Sequence, residues 1–306
     1  MSPKPPEPDI IAPPELTPPE SYPFWGYLDL AGFVMIALLA VLVESFLAGA
    51  FLSVVHVKKF LIELPAQLVL YAVLLWALST IFRRYYGRPF WQSLRWVPAG
   101  LSDAVLVACG VMLAFAVMGG SVLLKTPDID SPMKDLLSDR TAMMLVAVFG
   151  ITLGPLCEEI VFRGFLQPLL VRSLGAVAGI LTAAVPFGLL HLQQYGNSWR
   201  HVLLITMAGA AFGWMRYRTG STKAAAIMHA AYNGVFFVLL AVQQAAPHAG
   251  APGFISTGSA EHSQHVRYQE DHQYGAQSYA GAAPVTPAAV PVISAAAAED
   301  QQQNDQ

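Results

Sequence analysis

Seven stretches of the chain are apolar for long enough to cross a bilayer, near 25–55, 64–82, 101–124, 141–157, 174–195, 199–218 and 222–245. A helix rises about 1.5 Å per residue and the hydrocarbon core is about 30 Å thick, so roughly 20 apolar residues are enough. The first stretch exceeds that, which predicts a tilted helix or an interfacial continuation. The fourth contains Gly154-Pro155, where a proline frees a carbonyl and favours a bend. It either breaks there or continues through about Leu170; the expectation adopted is one helix running past residue 165 with Glu158 near its middle.

The flanks are different. Residues 1–23 hold nine prolines, several acids and one lysine, which predicts a disordered tail and lacks the basic start of a signal peptide. From about Pro247 to Gln306 the chain is rich in Ala, Gln, Gly, His and Pro without apolar periodicity, which predicts a second disordered tail. Its His248, His262, His265 and His272 match no metal-site spacing and read as solvated. The expected organisation is a tail at 1–23, amino-terminal transmembrane helices at 24–140, a catalytic membrane core at 141–245 and a tail at 246–306.

Composition supports this pattern. Of 306 residues, 55% are hydrophobic and 12% charged, about half the charge of a soluble domain. The fold class is therefore all-α, a polytopic transmembrane bundle of about seven to eight helices. A net charge of −3 with no dominant basic patch argues against a nucleic-acid partner; the lipid bilayer is the expected one. Cys109 and Cys157 both lie in apolar runs and read as buried thiols. With the amino terminus inside, inner segments collect ten Lys and Arg against seven outside, the run from Arg83 to Arg95 weighing most. Residues 125–140 then become an external loop with a short amphipathic helix.

Ionisable groups within spans are costly, at least about 2.5 kcal/mol each, so each needs a reason. Three clusters stand out: Glu158, Glu159 and Arg163; Phe187 and His191; His229 and Asn233. Glu159 and Arg163 are four apart with the acid first, the favourable order for a helical ion pair. Glu158 points about 100° away, on the side of Pro155, Phe162 and Phe165. It needs a partner on another helix, which makes it the candidate for proton transfer and Glu159–Arg163 the candidate for support. His229 and Asn233 share a face of the last span, and Phe187 lies one turn before His191 as a pocket wall. A glutamate, two histidines and an asparagine can converge on one water, the carboxylate taking its proton while His229 and Asn233 donate to an oxyanion. The bland reading of each His and Asn alone is interhelical hydrogen bonding. Glu44 in the first span has no assigned role beyond a bundle-facing glutamate, and Asp29 reads as interfacial.

Taken in order, Glu158-Glu159-x-x-x-Arg163, Phe187-x-x-x-His191 and His229-x-x-x-Asn233 resemble the CPBP family of intramembrane proteases. That family includes type II CAAX prenyl endopeptidases and the bacterial bacteriocin-processing and self-immunity (ABI) proteins. The flanks "GPLCEEIVFRGFLQPLL", "PFGLLHLQ" and "RTGSTKAAAIMHAAYNG" agree, and the resemblance covers about residues 141–240. It implies an endopeptidase acting on hydrophobic or membrane-anchored peptides, in a multi-pass protein of a bacterial cytoplasmic membrane. It also implies Glu158 as general base, His191 sharing its water, His229 and Asn233 stabilising the oxyanion, and Glu159 and Arg163 in support. The family has been described both as metallo-type and as glutamate-type. Zinc, if used, would fall to Glu158, His191 and His229; no H-E-x-x-H is present. The metal-free arrangement is preferred, because Asn is a poor zinc ligand and a good oxyanion donor. The competing readings are an ion- or proton-coupled transporter using Glu158 as relay, and a non-catalytic immunity or scaffold protein. No second copy of the Glu-Glu element supports the inverted repeat that transporters often show.

Overall fold

The computed structural model describes residues 22–55, 57–58, 60–127 and 139–245. Expectations for residues 1–21, for the tail from 246, and for most of the 125–140 loop fall outside them. Among the described residues there are helices and no strand.

The chain opens with α1 (Tyr27–Val54) and α2 (Phe60–Thr80), which ends in a π-helical turn, Ile81–Tyr85. A short α3 (Phe90–Ser93) and a loop lead to α4 (Asp103–Leu123), capped by Ser102. The less exposed positions of α1, namely Leu30, Phe33, Ala37, Ala40, Glu44, Ala48 and Leu52, recur every three or four residues, which is the helical signature of one packed face. α1 packs chiefly on α2, so Glu44 lies on the bundle side and not among the lipid-facing leucines.

The fourth apolar stretch forms a helical rod, Arg140–Leu174, 35 residues long. It comprises α5 (Arg140–Ile151), α6 (Leu153–Glu159), a π-helical segment (Ile160–Leu166) and α7 (Gln167–Leu174). Both sequence alternatives are present in it. The rod runs past residue 165 with Glu158 near its middle, and it breaks at Thr152 (φ −125°, ψ −85°), just before Gly154-Pro155. The remaining helices are α8 (Ala176–Leu190), α9 (Trp199–Thr219) and α10 (Thr222–Ala245).

Among the described residues five helical segments are long and apolar enough to cross a membrane: Tyr27–Val54, Phe60–Tyr85, Asp103–Leu123, Arg140–Leu174 and Thr222–Val242. This corrects the expected seven. The stretch at 174–195 is a helix of only 15 residues, and Trp199–Thr219 carries Arg200, His201, Arg216 and Arg218 near its ends. Helices so short or so polar gain less from lipid than from packing on one another, and α8 and α9 do pack together. The protein is an integral membrane protein built as a helix bundle.

Two apolar cores draw on the rod. One gathers Trp25, Phe33, Leu78, Phe82, Leu94, Ile160 and Phe165. The other gathers Ala114, Phe162, Phe187, Phe212, Met228 and Tyr232. Phe162 and Phe165, expected on one side with Glu158, go to different cores. A π-helical segment widens the turn and rotates the residues after it relative to an α-helix.

The expected tail at 1–23 is corrected at its end. Pro23 is buried, the Tyr22 hydroxyl accepts from Nη2 of Arg216 at 3.0 Å, and Arg172 donates to the carbonyls of Pro23 and Trp25. Trp25 Nε1 donates to the Phe165 carbonyl at 3.1 Å, inside the π segment. Two arginines and an aromatic core recruit a stretch that proline content alone assigns to disorder. Asp29 caps the start of α1, accepting from Gly26 N at 2.8 Å and from the Tyr86 hydroxyl at 2.6 Å. Both cysteines are free, Cys157 buried and Cys109 packed against the second core.

Candidate active site

The site is built where α6 gives way to the π segment. Glu159 is sealed, with 0% side-chain exposure, and its Oε1 lies 3.0 Å from Nη1 of Arg163 and 2.9 Å from Nδ1 of His229. Glu158 keeps 24% exposure, and its two oxygens face different helices. Oε1 accepts from the Tyr71 hydroxyl of α2 at 3.1 Å, while Oε2 lies 3.9 Å from Nε2 of His229. Glu159 thus has the local partner Arg163 and a second partner on another helix, whereas Glu158 meets Tyr71 and His229 from two other helices.

His229 is held on three sides. An ionised carboxylate only accepts, so Nδ1 donates its hydrogen to Glu159 and Nε2 is the nitrogen turned to Glu158. The imidazole stacks on Phe212, with centroids 4.4 Å apart and planes 20° apart, and meets the edge of Phe187 at 5.8 Å. Its tautomer and orientation are set by neighbours, as for a carboxylate-buttressed histidine.

Arg163 is 1% exposed and lies among aromatic faces, 4.3 Å from the Phe187 centroid and 5.5 Å from that of Phe212. Its Nη2 donates to the Gly209 carbonyl at 2.7 Å. One turn on, Gln167 Nε2 donates to the Gly213 carbonyl at 2.8 Å. Donors four apart on the rod thus meet carbonyls four apart on α9, which clamps the two helices in register. A Cβ on Gly209 would stand 2.8 Å from Phe187 Cδ1 and 3.1 Å from Arg163 Nη2, so only glycine admits both groups.

Phe187 is more than a pocket wall. It covers Arg163, touches Phe162 and His229, and lies 5.0 Å from His191 between ring centroids. His191 stands at the end of α8, where its Nδ1 donates to the Phe187 carbonyl at 2.8 Å; its Nε2 is then the acceptor nitrogen. Phe187 thereby links His191 to the Glu159–Arg163–His229 group. Asn233 Nδ2 donates to the Gly150 carbonyl at 2.7 Å. The break at Thr152 ends α5 and leaves that carbonyl without a partner in its own helix, so Asn233 is committed partly to the bland role. Gly150 lets α10 this close, since a Cβ there would stand 2.9 Å from the Phe237 ring.

Three participants escaped sequence reasoning. Tyr71, Phe212 and the glycine carbonyls of α9 lie outside the three motifs, and an aromatic in an apolar helix gives no local signal. Glycines spaced by four in "AGAAFGW" were the one legible sign of close helix approach. Among the described residues no three His, Cys, Asp or Glu side chains form a group that could hold a metal ion. Glu158, His191 and His229 as placed do not make up a zinc ligand set.

Residues 140–235 match the family model described as type II CAAX prenyl endopeptidase Rce1-like. No curated protein and no solved structure matches the chain. The matched segment runs from the first turn of α5 to just beyond Asn233 and holds all three motifs, whereas Tyr71 lies outside it. Residues 140–235, embedded in a membrane-spanning helical chain, are thus similar to the Rce1-like type II CAAX prenyl endopeptidases.

Proposed function

We propose that the protein is an intramembrane endopeptidase that hydrolyses peptide bonds of hydrophobic or membrane-anchored substrates, with Glu158 activating water. The observation that carries this reading is the asymmetry of the glutamates. Glu159 is sealed and neutralised, whereas Glu158 is partly open and faces Nε2 of His229 at 3.9 Å. That gap exceeds a hydrogen bond and suits one water oxygen in contact with both groups.

In this reading, Glu158 Oε2 takes a proton from the water as its oxygen attacks the scissile carbonyl carbon. The acceptor Nε2 of His191 helps to orient that water. The carbonyl electron pair moves onto oxygen, and the oxyanion meets Nε2–H of His229 and the second amide hydrogen of Asn233. Two carboxylates against one guanidinium leave the cluster one charge negative. Nε2 of His229 is a donor in the form of the imidazole that carries both hydrogens. The intermediate collapses by breaking the C–N bond, Glu158 returns its proton to the departing amine, and the products are a carboxylic acid and an amine, which exchange the acid proton to become carboxylate and ammonium.

The test is cleavage of membrane-peptide libraries by the parent chain, Glu158→Ala and His191→Ala. Both substitutions are expected to abolish turnover, and unchanged turnover in either would remove that residue from the mechanism. A chelator titration in the same assay separates metal-dependent from metal-free hydrolysis.

A further inference from the structure

Glu158 sits on a helix, yet what fixes its carboxylate comes from elsewhere. Tyr71 belongs to α2, outside residues 140–235, and its hydroxyl lies 3.1 Å from Oε1 of Glu158. The phenol ring stacks on Phe149 of α5, centroids 5.7 Å apart and planes 9° apart, which helps to hold the ring plane that carries its C–O bond. Gln67, one turn earlier on α2, lies beside the same phenol. An ionised carboxylate has no hydrogen to give, so the phenol is the donor. With Oε1 so occupied, Oε2 is the oxygen left for His229, 3.9 Å away.

We infer that Tyr71 is a positioning residue for hydrolysis, pinning Oε1 of Glu158 so that Oε2 meets the attacking water opposite His229. The inference rests on reading Glu158 as the base. A glutamate has three rotatable side-chain bonds, and Glu158 is too open to be locked by packing alone. A misplacement of about 1 Å in a reacting group can lower a rate by about a hundredfold, so a hydrogen bond that selects one rotamer acts directly on the rate. It follows that the family-matched segment does not contain its whole site: the α1–α2 hairpin completes it.

The discriminating variant is Tyr71→Phe, which keeps the ring on Phe149 and removes only the hydroxyl. The full chain in lipid nanodiscs is assayed for kcat and KM on a cleaved membrane peptide. In parallel, the infrared band of the Glu158 carboxylate is identified as the band absent from Glu158→Gln. The expected result is a roughly 10- to 100-fold fall in kcat at unchanged KM, together with a displaced Glu158 band. A purely structural Tyr71 would lower thermal stability and leave the band in place. An undisplaced band overturns the inference whatever the rate does, and so does an unchanged kcat. Should Tyr71→Phe fail to fold, Gln67→Leu replaces it, with a smaller displacement and rate loss expected and no change in either overturning the proposal. If the parent chain and Glu158→Gln are equally inactive, the peptidase reading falls, whereas a displaced band still upholds Tyr71 as the residue that positions Glu158.

Discussion

Glu159 and His229 lie 70 residues apart and are joined by a 2.9 Å contact between Oε1 and Nδ1. The same carboxylate oxygen stands 3.0 Å from Arg163. The glutamate that looked like half of a helical ion pair is therefore also the group that orients a histidine on another helix.

Glu159→Gln separates these roles from packing, because glutamine keeps the shape and loses the charge. Arg163 then stays buried without its contacting counter-ion, and His229 exchanges a charged acceptor for a neutral one. Breaking one side of a buried pair costs about 3–5 kcal/mol. Thermal unfolding of the purified protein in detergent should show a clear drop in midpoint. A midpoint equal to the parent's would mean that the pair contributes no net support.

Gly209→Ala probes the close approach of α9 to the site. The added methyl meets Phe187 at 2.8 Å and Arg163 at 3.1 Å, and overpacking of this kind costs about 1–3 kcal/mol. Because Phe187 also contacts His191 and His229, peptidase activity should fall along with stability. Gly119→Ala is the comparison, since a Cβ there meets nothing within 4 Å, and it should leave both unchanged.

Asp139 supplies a pH-dependent test away from the site. It caps α5, accepting from Thr141 N at 2.9 Å and Ala142 N at 3.0 Å, and it pairs with Lys58 from the α1–α2 connection. The hydrogen bond from Lys58, followed by that from Ala142, holds its carboxyl below the usual value of 3.8. A carboxyl lowered on folding contributes stability that is present above its unfolded value and disappears as pH falls through its folded value. Asp139→Asn should therefore be less stable than the parent at neutral pH. The two should converge in acid below 3.8, as followed by unfolding at a series of pH values. A stability difference that persists undiminished there would mean that charge is not its origin.

Much of this was legible beforehand because the signals are local. Apolar runs of spanning length mark the helices, and the three motifs mark Glu158, Glu159, Arg163, His191, His229 and Asn233 wherever the chain folds. Four-residue spacing within one helix was enough to pair Glu159 with Arg163 and leave Glu158 without a local partner. Where the reading erred, a local rule met a distant neighbour. Prolines marked residues 22–23 as tail, but Arg172 and Arg216, far along the chain, hold them. Apolarity marked 174–195 as a span, but its helix stops at Leu190 and packs on α9.

The sequence by itself determined the membrane as solvent, the all-α class and the residue types able to carry hydrolysis, because hydropathy and helical periodicity are properties of short stretches. Only the tertiary structure decided who answers whom. It assigned Tyr71 to Glu158, Glu159 to His229, and Asn233 to the carbonyl freed at the Thr152 break. Those pairings depend on how a π-helical segment turns one face of the rod relative to the next and on glycines that let helices close to contact distance. Both are decided by packing between elements distant in sequence, which no periodicity within one element encodes.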